Sequence, residues 1–339
     1  MKSVGPRLIT LIVVAGLVTS ARVSAQEGAP PPLPPPGKLV DVGGWRLHIN
    51  CTGTASPQTP TVILESGIGD FSVEWSLVQP GVSKFARVCS YDRAGDGWSE
   101  MGPFPRTYKQ IVYELHALVE RAGERPPFVL VGQSYGGWLV RVYRSTYPSD
   151  VAGMVFVDAG DDNPERITRD GTVVRADALV KGVPVPEVKT SGPLRISDIP
   201  AGALAAIRAG NAKSVPTAND PPRDRLPEDA KKMRTWALAQ IGHVAAGVNS
   251  FEIEELALIR GEREKNPQAF GDIPVIVITR GRGEDSPEQE AARREGHKLV
   301  AAMSRKGRHV IADKSGHHVH IEQPDLVVSL IEEVVRARK

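Results

Sequence analysis

The feature that most constrains this chain is the stretch Phe128-Val129-Leu130-Val131-Gly132-Gln133-Ser134-Tyr135-Gly136-Gly137. A short apolar run of strand character gives way to Gly-x-Ser-x-Gly, and a helical pattern follows over 138–147. A tight strand-to-helix turn of this kind lifts the serine out of a sheet at a helix N-terminus. The positions two before and two after must be small, because the turn presses them against neighbouring backbone. Gly-x-Ser-x-Gly alone is a weak signal that recurs by chance; the flanking strand and helix give it weight. The bland alternative is a glycine-rich turn with a surface serine.

Other apolar runs surround this one. Leu39–Val42 and Trp45–Asn50 read as two strands joined at Gly43-Gly44. Thr61–Glu65, Arg87–Tyr91, Val151–Val157, Ile273–Thr279 and Arg308–Ala312 read as further strands. Helical spacing is predicted for Thr107–Ala122, with Ile111, Leu115 and Leu118 on one face, and for Trp138–Tyr147, Glu288–Ser304 and Leu326–Arg336. Apolar strands alternating with helices predict an α/β fold: a mostly parallel sheet covered on both faces. The alternation breaks over 160–268. This segment is rich in Pro, Asp and Arg before turning helical at Glu228–Val248 and Phe251–Glu264. An insertion of that size between two sheet strands is expected to be a cap, with an ordinary second domain as the alternative.

Residues 1–25 read as a secretory signal peptide: Lys2 and Arg7, then the apolar run Leu8 to Val18, then Val23-Ser24-Ala25. An uncleaved anchor is the alternative. A Pro-rich linker, 26–37, leads to a body at 38–339. The whole chain carries a formal +2; removing Lys2, Arg7 and Arg22 leaves 39 basic side chains against 40 acidic, a net −1. That balance argues against nucleic acid as the main partner. A secreted or periplasmic location with no membrane span in the mature form is expected. Two cysteines are too few for a disulfide scaffold or a Cys-only zinc site.

A serine hydroxyl needs a general base, and the base needs an acid to orient it. On this architecture the order is Ser…Asp/Glu…His. The base therefore comes late, and Ser315-Gly316-His317-His318-Val319-His320 precedes the final helix. His317 is the choice, with His318 as base or a metal-binding histidine cluster as alternatives. The acid stays open. Asp158 ends the strand after the elbow, and Asp285 follows the next strand. Asp161, Asp162 and Glu284 are lesser candidates. The oxyanion of a tetrahedral intermediate needs backbone donors. Tyr135 N–H and Ile68 N–H, the latter in Glu65-Ser66-Gly67-Ile68-Gly69-Asp70, are the candidates.

These motifs, with Tyr91-Asp92-Arg93-Ala94-Gly95-Asp96-Gly97-Trp98-Ser99, make the chain resemble a secreted serine hydrolase of the α/β-hydrolase fold, esterase-like, from about Lys38 to Arg338. The resemblance implies an eight-stranded, mostly parallel sheet with a helical cap after the sixth strand. It implies cleavage of a carboxylic ester or related acyl bond in a small-molecule substrate, without cofactor or metal. A serine at the elbow disfavours dehalogenase and epoxide hydrolase chemistry, which in this resemblance uses Asp there. The chain departs from the common pattern at Ser66, where many relatives carry His. After Thr279 it lacks a short Gly-x-x-Asp, which favours Asp158 over Asp285. The family's sheet order sets the second strand beside the fourth, so Cys51 and Cys89 are expected to be close, as a possible disulfide or as two buried thiols. An amidase or peptidase, or a binding protein without turnover, are the rival readings.

Overall fold

A computed structural model describes residues 33–337 apart from 164, 168–172, 247, 248 and 284. The proposed signal peptide and most of the Pro-rich linker lie outside the described residues.

Eight strands form one sheet: β1 (Lys38–Asp41), β2 (Arg46–Thr52), β3 (Thr61–Glu65), β4 (Val88–Tyr91), β5 (Phe128–Gln133), β6 (Val151–Val157), β9 (Val275–Arg280) and β10 (Gly307–Ala312). The omitted pair, β7 (Glu165–Ile167) and β8 (Val173–Arg175), is a separate antiparallel ribbon inside the insertion. The sheet order is β1-β2-β4-β3-β5-β6-β9-β10, and all neighbours are parallel except those of β2.

Successive strand residues point to opposite faces, and the core divides accordingly. Phe128, Leu130, Met154, Phe156, Val275 and Val277 enter one apolar cluster. Their alternates Val129, Val131, Val155, Val157, Ile276 and Ile278 enter the other. The helices are α1 (Gln79–Val82), α2 (Tyr108–Ala122), α3 (Gly136–Thr146), four within the insertion named below, α8 (Pro287–Ala302), α9 (Val319–Glu322) and α10 (Pro324–Arg336). Leu115 and Leu118 of α2, Leu139 of α3 and Val300 of α8 cover the first face. Val82 of α1 and Val327, Ile331 and Val334 of α10 cover the second. Helix α2 starts where Thr107 Oγ1 accepts the Gln110 N–H and stops at Gly123, whose φ of 84° suits glycine.

The insertion between β6 and β9 carries α4 (Ala201–Ser214), α5 (Glu228–Leu238), α6 (Ile241–Ala246) and α7 (Glu252–Lys265) besides the ribbon. The single helix expected over Glu228–Val248 is a correction: the chain breaks between Leu238 and Ile241, and residues 247–248 lie outside the described set. Helix α4 was not anticipated. Its Ala- and Gly-rich sequence has no strong apolar face, and only Asn211 is buried.

The insertion rests on the loops after β3 and β4, at the C-terminal ends of the parallel strands. A Cβ on Gly242 of α6 would stand 2.8 Å from Gly95 O, and one on Gly69 would stand 3.7 Å from His243 Nε2. Across β2 and β4, Cys51 pairs in register with Cys89, and the two form a disulfide. Among the described residues, no helix is long and apolar enough to cross a membrane.

Candidate active site

Ser134 follows β5 directly and takes φ 51°, a left-handed conformation that costs a non-glycine residue energy and is held only by its surroundings. The glycines show what holds it. A Cβ at Gly132 would lie 2.6 Å from Gly136 O, and one at Gly136 would lie 2.6 Å from Glu65 O. The elbow is thus pressed between its own helix and the end of β3. Ser134 N–H donates to Val157 O (3.2 Å), and Ser134 O accepts from Gly137 and Gly160 N–H (both 2.9 Å).

The neighbouring strand supplies the second member. Asp158 follows β6, has φ 41° and is fully buried. Its N–H donates to Ile278 O (2.8 Å), and its Oδ1 accepts the Arg280 backbone N–H (3.1 Å). The loop after β10 supplies the third. Ser315 O accepts both Gly281 N–H (3.2 Å) and Arg282 N–H (2.9 Å), and Gly316 N–H donates to Glu322 Oε1 (2.9 Å). These bonds tie the loop to the end of β9 and to α9. His317 then spans the gap: Nε2 lies 2.9 Å from Ser134 Oγ and Nδ1 lies 2.6 Å from Asp158 Oδ2.

Burial opposes ionisation of Asp158, but the hydrogen bond from His317 and the favourable electrostatics of that pairing outweigh it and hold the carboxyl below its ordinary value. An ionised partner at Nδ1 keeps the proton there and leaves the Nε2 lone pair facing Ser134.

The other candidates are elsewhere. Asp285 is bound by Arg280 Nη2 (2.6 Å) and Arg293 Nη2 (3.1 Å) and is not brought to His317. Asp162 is bound by Arg141 and Arg263. Asp161 accepts Asn163 N–H (2.9 Å), and Glu284 lies outside the described residues. His318 and His320 turn away into a buried charged cluster. Burial and the charge of Arg223 hold His318 down to about 4; burial holds His320 far below the ordinary range, packed on Trp75 with ring centroids 4.8 Å apart.

That cluster joins the insertion to the loop carrying Ile68. Arg223 Nη2 meets Asp70 Oδ1 at 2.9 Å, Arg234 Nη1 meets it at 3.1 Å, and both arginines also pair with Glu74. Burial and the neighbouring Asp70 charge push Glu74 up to about 7.

Gly67 lies against the elbow: a Cβ there would stand 3.3 Å from Ser134 Cβ and 2.3 Å from Gln133 Oε1. The next side chain, Ile68, is 52% exposed. Two residues beside the site went unremarked in the sequence. Gln133 Nε2 lies 3.4 Å from His317 Nε2. Arg93 is buried and donates to four oxygens of the β3 end and its loop. Arg93 sits inside the Asp92–Ser99 turn, quoted above only for the resemblance; the signal was an arginine amid glycines and aspartates at a strand end.

Comparison with known proteins follows the same lines. Residues 62–330 match the profile described as the alpha/beta hydrolase family. An AB hydrolase superfamily protein of Gibberella zeae is 24% identical over 296 residues, covering 86% of this chain and 90% of that one. A thermophilic esterase from Thermogutta terrifontis superposes with a TM-score of 0.58 at 19% identity, covering 89% of this chain and 99% of that one. A meta-cleavage product hydrolase from Pseudomonas fluorescens IP01 gives 0.59 at 19% identity, covering 89% and 98%. At such identities the structural likenesses speak for the fold.

Proposed function

Because the chain belongs to the α/β hydrolase family, we propose that it is a serine hydrolase that cleaves a carboxylic ester or a related acyl bond through Ser134, His317 and Asp158. The observation that carries this reading is the pair of contacts on one imidazole, 2.9 Å to the serine oxygen and 2.6 Å to a buried carboxylate. A hydroxyl alone is a poor nucleophile, and this arrangement supplies both its base and the base's orienting acid.

The reaction proceeds in two halves. His317 Nε2 takes the Ser134 proton as Oγ bonds to the acyl carbon. The carbonyl oxygen becomes an oxyanion, received by the backbone N–H groups of Tyr135 and Ile68. Ser134 N–H is already committed to Val157 O, which favours Tyr135 as the elbow donor. The carbon–oxygen bond to the leaving group breaks as Nε2 hands it the proton, leaving an acyl-enzyme. Water then attacks, giving a proton to Nε2; Ser134 Oγ leaves with that proton and the acid is released. Asp158 stabilises the imidazolium in both halves. The fold is shared with proteins described as an esterase, a meta-cleavage product hydrolase and an epoxide hydrolase, so the fold by itself does not choose the reaction.

The segment 160–268 is read as a cap over this site, and residues 1–25 as an export signal cleaved before Gln26. Export is tested by N-terminal sequencing of protein recovered outside the cytoplasm.

The catalytic reading is tested with a fluorophosphonate probe and a panel of p-nitrophenyl esters. Wild-type protein should be labelled and should hydrolyse at least one ester; Ser134→Ala should be unlabelled and inactive. Wild-type protein that is neither labelled nor active would make this a binding protein on a hydrolase fold.

A further inference from the structure

The two proposed oxyanion donors, Ile68 N–H and Tyr135 N–H, stand on different elements, and one buried side chain binds the loop of the first and lies near the ring of the second. Arg93 follows β4 and is only 6% exposed. Its Nη1 donates to Glu65 Oε1 and to Ser66 O, each at 2.7 Å. Its Nη2 donates to Gly67 O at 2.5 Å and to Asp70 O at 3.1 Å. Its Nε lies 3.5 Å from Asp96 Oδ2. The guanidinium carbon also lies 5.6 Å from the centroid of the Tyr135 ring.

Peptide geometry turns this clamp into a direction. The Gly67 carbonyl and the Ile68 N–H belong to one planar trans unit, so they point opposite ways. A Gly67 oxygen drawn onto Arg93 sends the Ile68 N–H away from Arg93. Gly67 itself lies against Ser134, with a would-be Cβ 3.3 Å from Ser134 Cβ. A glycine-rich loop has many conformations of similar energy, and although the Asp70 N–H donates to Gly67 O (3.2 Å) and closes a local turn, that bond does not aim the turn at Ser134. A fork with its donors fixed in one plane does select. We propose that Arg93 is the positioning residue of the oxyanion site, aiming the Ile68 N–H at the reacting oxygen by holding the carbonyls of Ser66, Gly67 and Asp70.

This rests on the serine-hydrolase reading above and adds a residue to it. The first test is Arg93→Lys, which keeps the charge but replaces the planar fork by a point. Sites are counted by endpoint fluorophosphonate labelling, so misfolded chains drop out, and rates are expressed per labelled site. The loss of one aligned donor lowers kcat by about 10²-fold. KM should change little, and the pH dependence of kcat/KM should keep its shape. Affinity for a trifluoromethyl ketone, whose adduct carries an oxyanion, should fall in step with kcat/KM. A residue that merely supports the fold would lower the number of labelled sites and leave the rate per site at the wild-type value; that result overturns the proposal while Ser134 chemistry stands. Wild-type protein that is neither labelled nor active overturns both.

The second test needs no variant. In a crystal of the wild-type phosphonyl adduct, the phosphoryl oxygen should lie within hydrogen-bond distance of Ile68 N while Gly67 O remains on Arg93. An adduct in which Arg93 has released Gly67 O, or in which Ile68 N faces elsewhere, refutes it.

Discussion

Ser134 and Asp158, the two non-glycine residues in the left-handed region among those described, are the two that His317 meets at 2.9 and 2.6 Å. Each stands one residue beyond a parallel strand, where an extended chain must turn at once and a side chain can be thrown clear of the sheet. The arrangement holds because the surroundings over-determine it: Gly136 has no room for a methyl against Glu65 O. Gly136→Ala should therefore unfold at lower temperature and label slowly with fluorophosphonate, both readable on one preparation. The two candidate acids separate cleanly. Asp158→Asn removes the charge and the tautomer control at Nδ1, and kcat should fall by a factor on the order of 10⁴ with the circular dichroism spectrum unchanged. Asp285→Asn should stay within a few-fold of wild type, because Asp285 pairs with Arg280 at the end of β9 and with Arg293 of α8, while the carboxylate on His317 Nδ1 is that of Asp158.

At the scale of elements, the decisive contact is between the insertion and the loop after β3. Arg234 on α5 is buried with Asp70 and Glu74, and Arg223 completes the cluster nearer the rim. Removing one partner of a buried ion pair strands the other, so Arg234→Met should lower the unfolding free energy by about 3–5 kcal/mol, measured by urea titration. His318 gives the cluster a pH signature. Its proton affinity is held down to about 4 by burial and Arg223, with His317 and Arg234 adding to the effect and Asp70 opposing it. As pH falls from about 6.5 toward 4, the unfolded chain gains a proton that the folded chain refuses. Its contribution is thus complete above pH 6.5 and is lost on acidification, at up to about 1.4 kcal/mol per pH unit. His318→Gln should have a shallower fall than wild type over that interval, and equal slopes would refute the assignment.

For the molecule as a whole, the sheet carries the fold and the disulfide fastens its antiparallel edge. Cys51 and Cys89 close a loop of 38 residues, for which a crosslink contributes about 2–4 kcal/mol. The double variant Cys51→Ser/Cys89→Ser should lose that much stability yet keep kcat per labelled site, since the bond joins β2 to β4, away from Ser134.

The sequence alone determined the alternation of strands and helices, because a strand buried on both faces must be apolar throughout. Val129-Leu130-Val131 and Val155-Phe156-Val157 state this plainly. It also determined that Ser134 stands on an elbow, since only glycines fit at 132 and 136. Between Asp158 and Asp285 it gave only a preference for Asp158, drawn from a resemblance. Both follow strands on the same side of the sheet, and their difference is a lateral distance to His317 that exists only once β6, β9 and β10 are placed. The break in the helix after Leu238 and the hold of Arg93 on the Gly67 carbonyl belong to the same class. Each depends on what another part of the chain presents at contact range, and local residue preferences do not encode that.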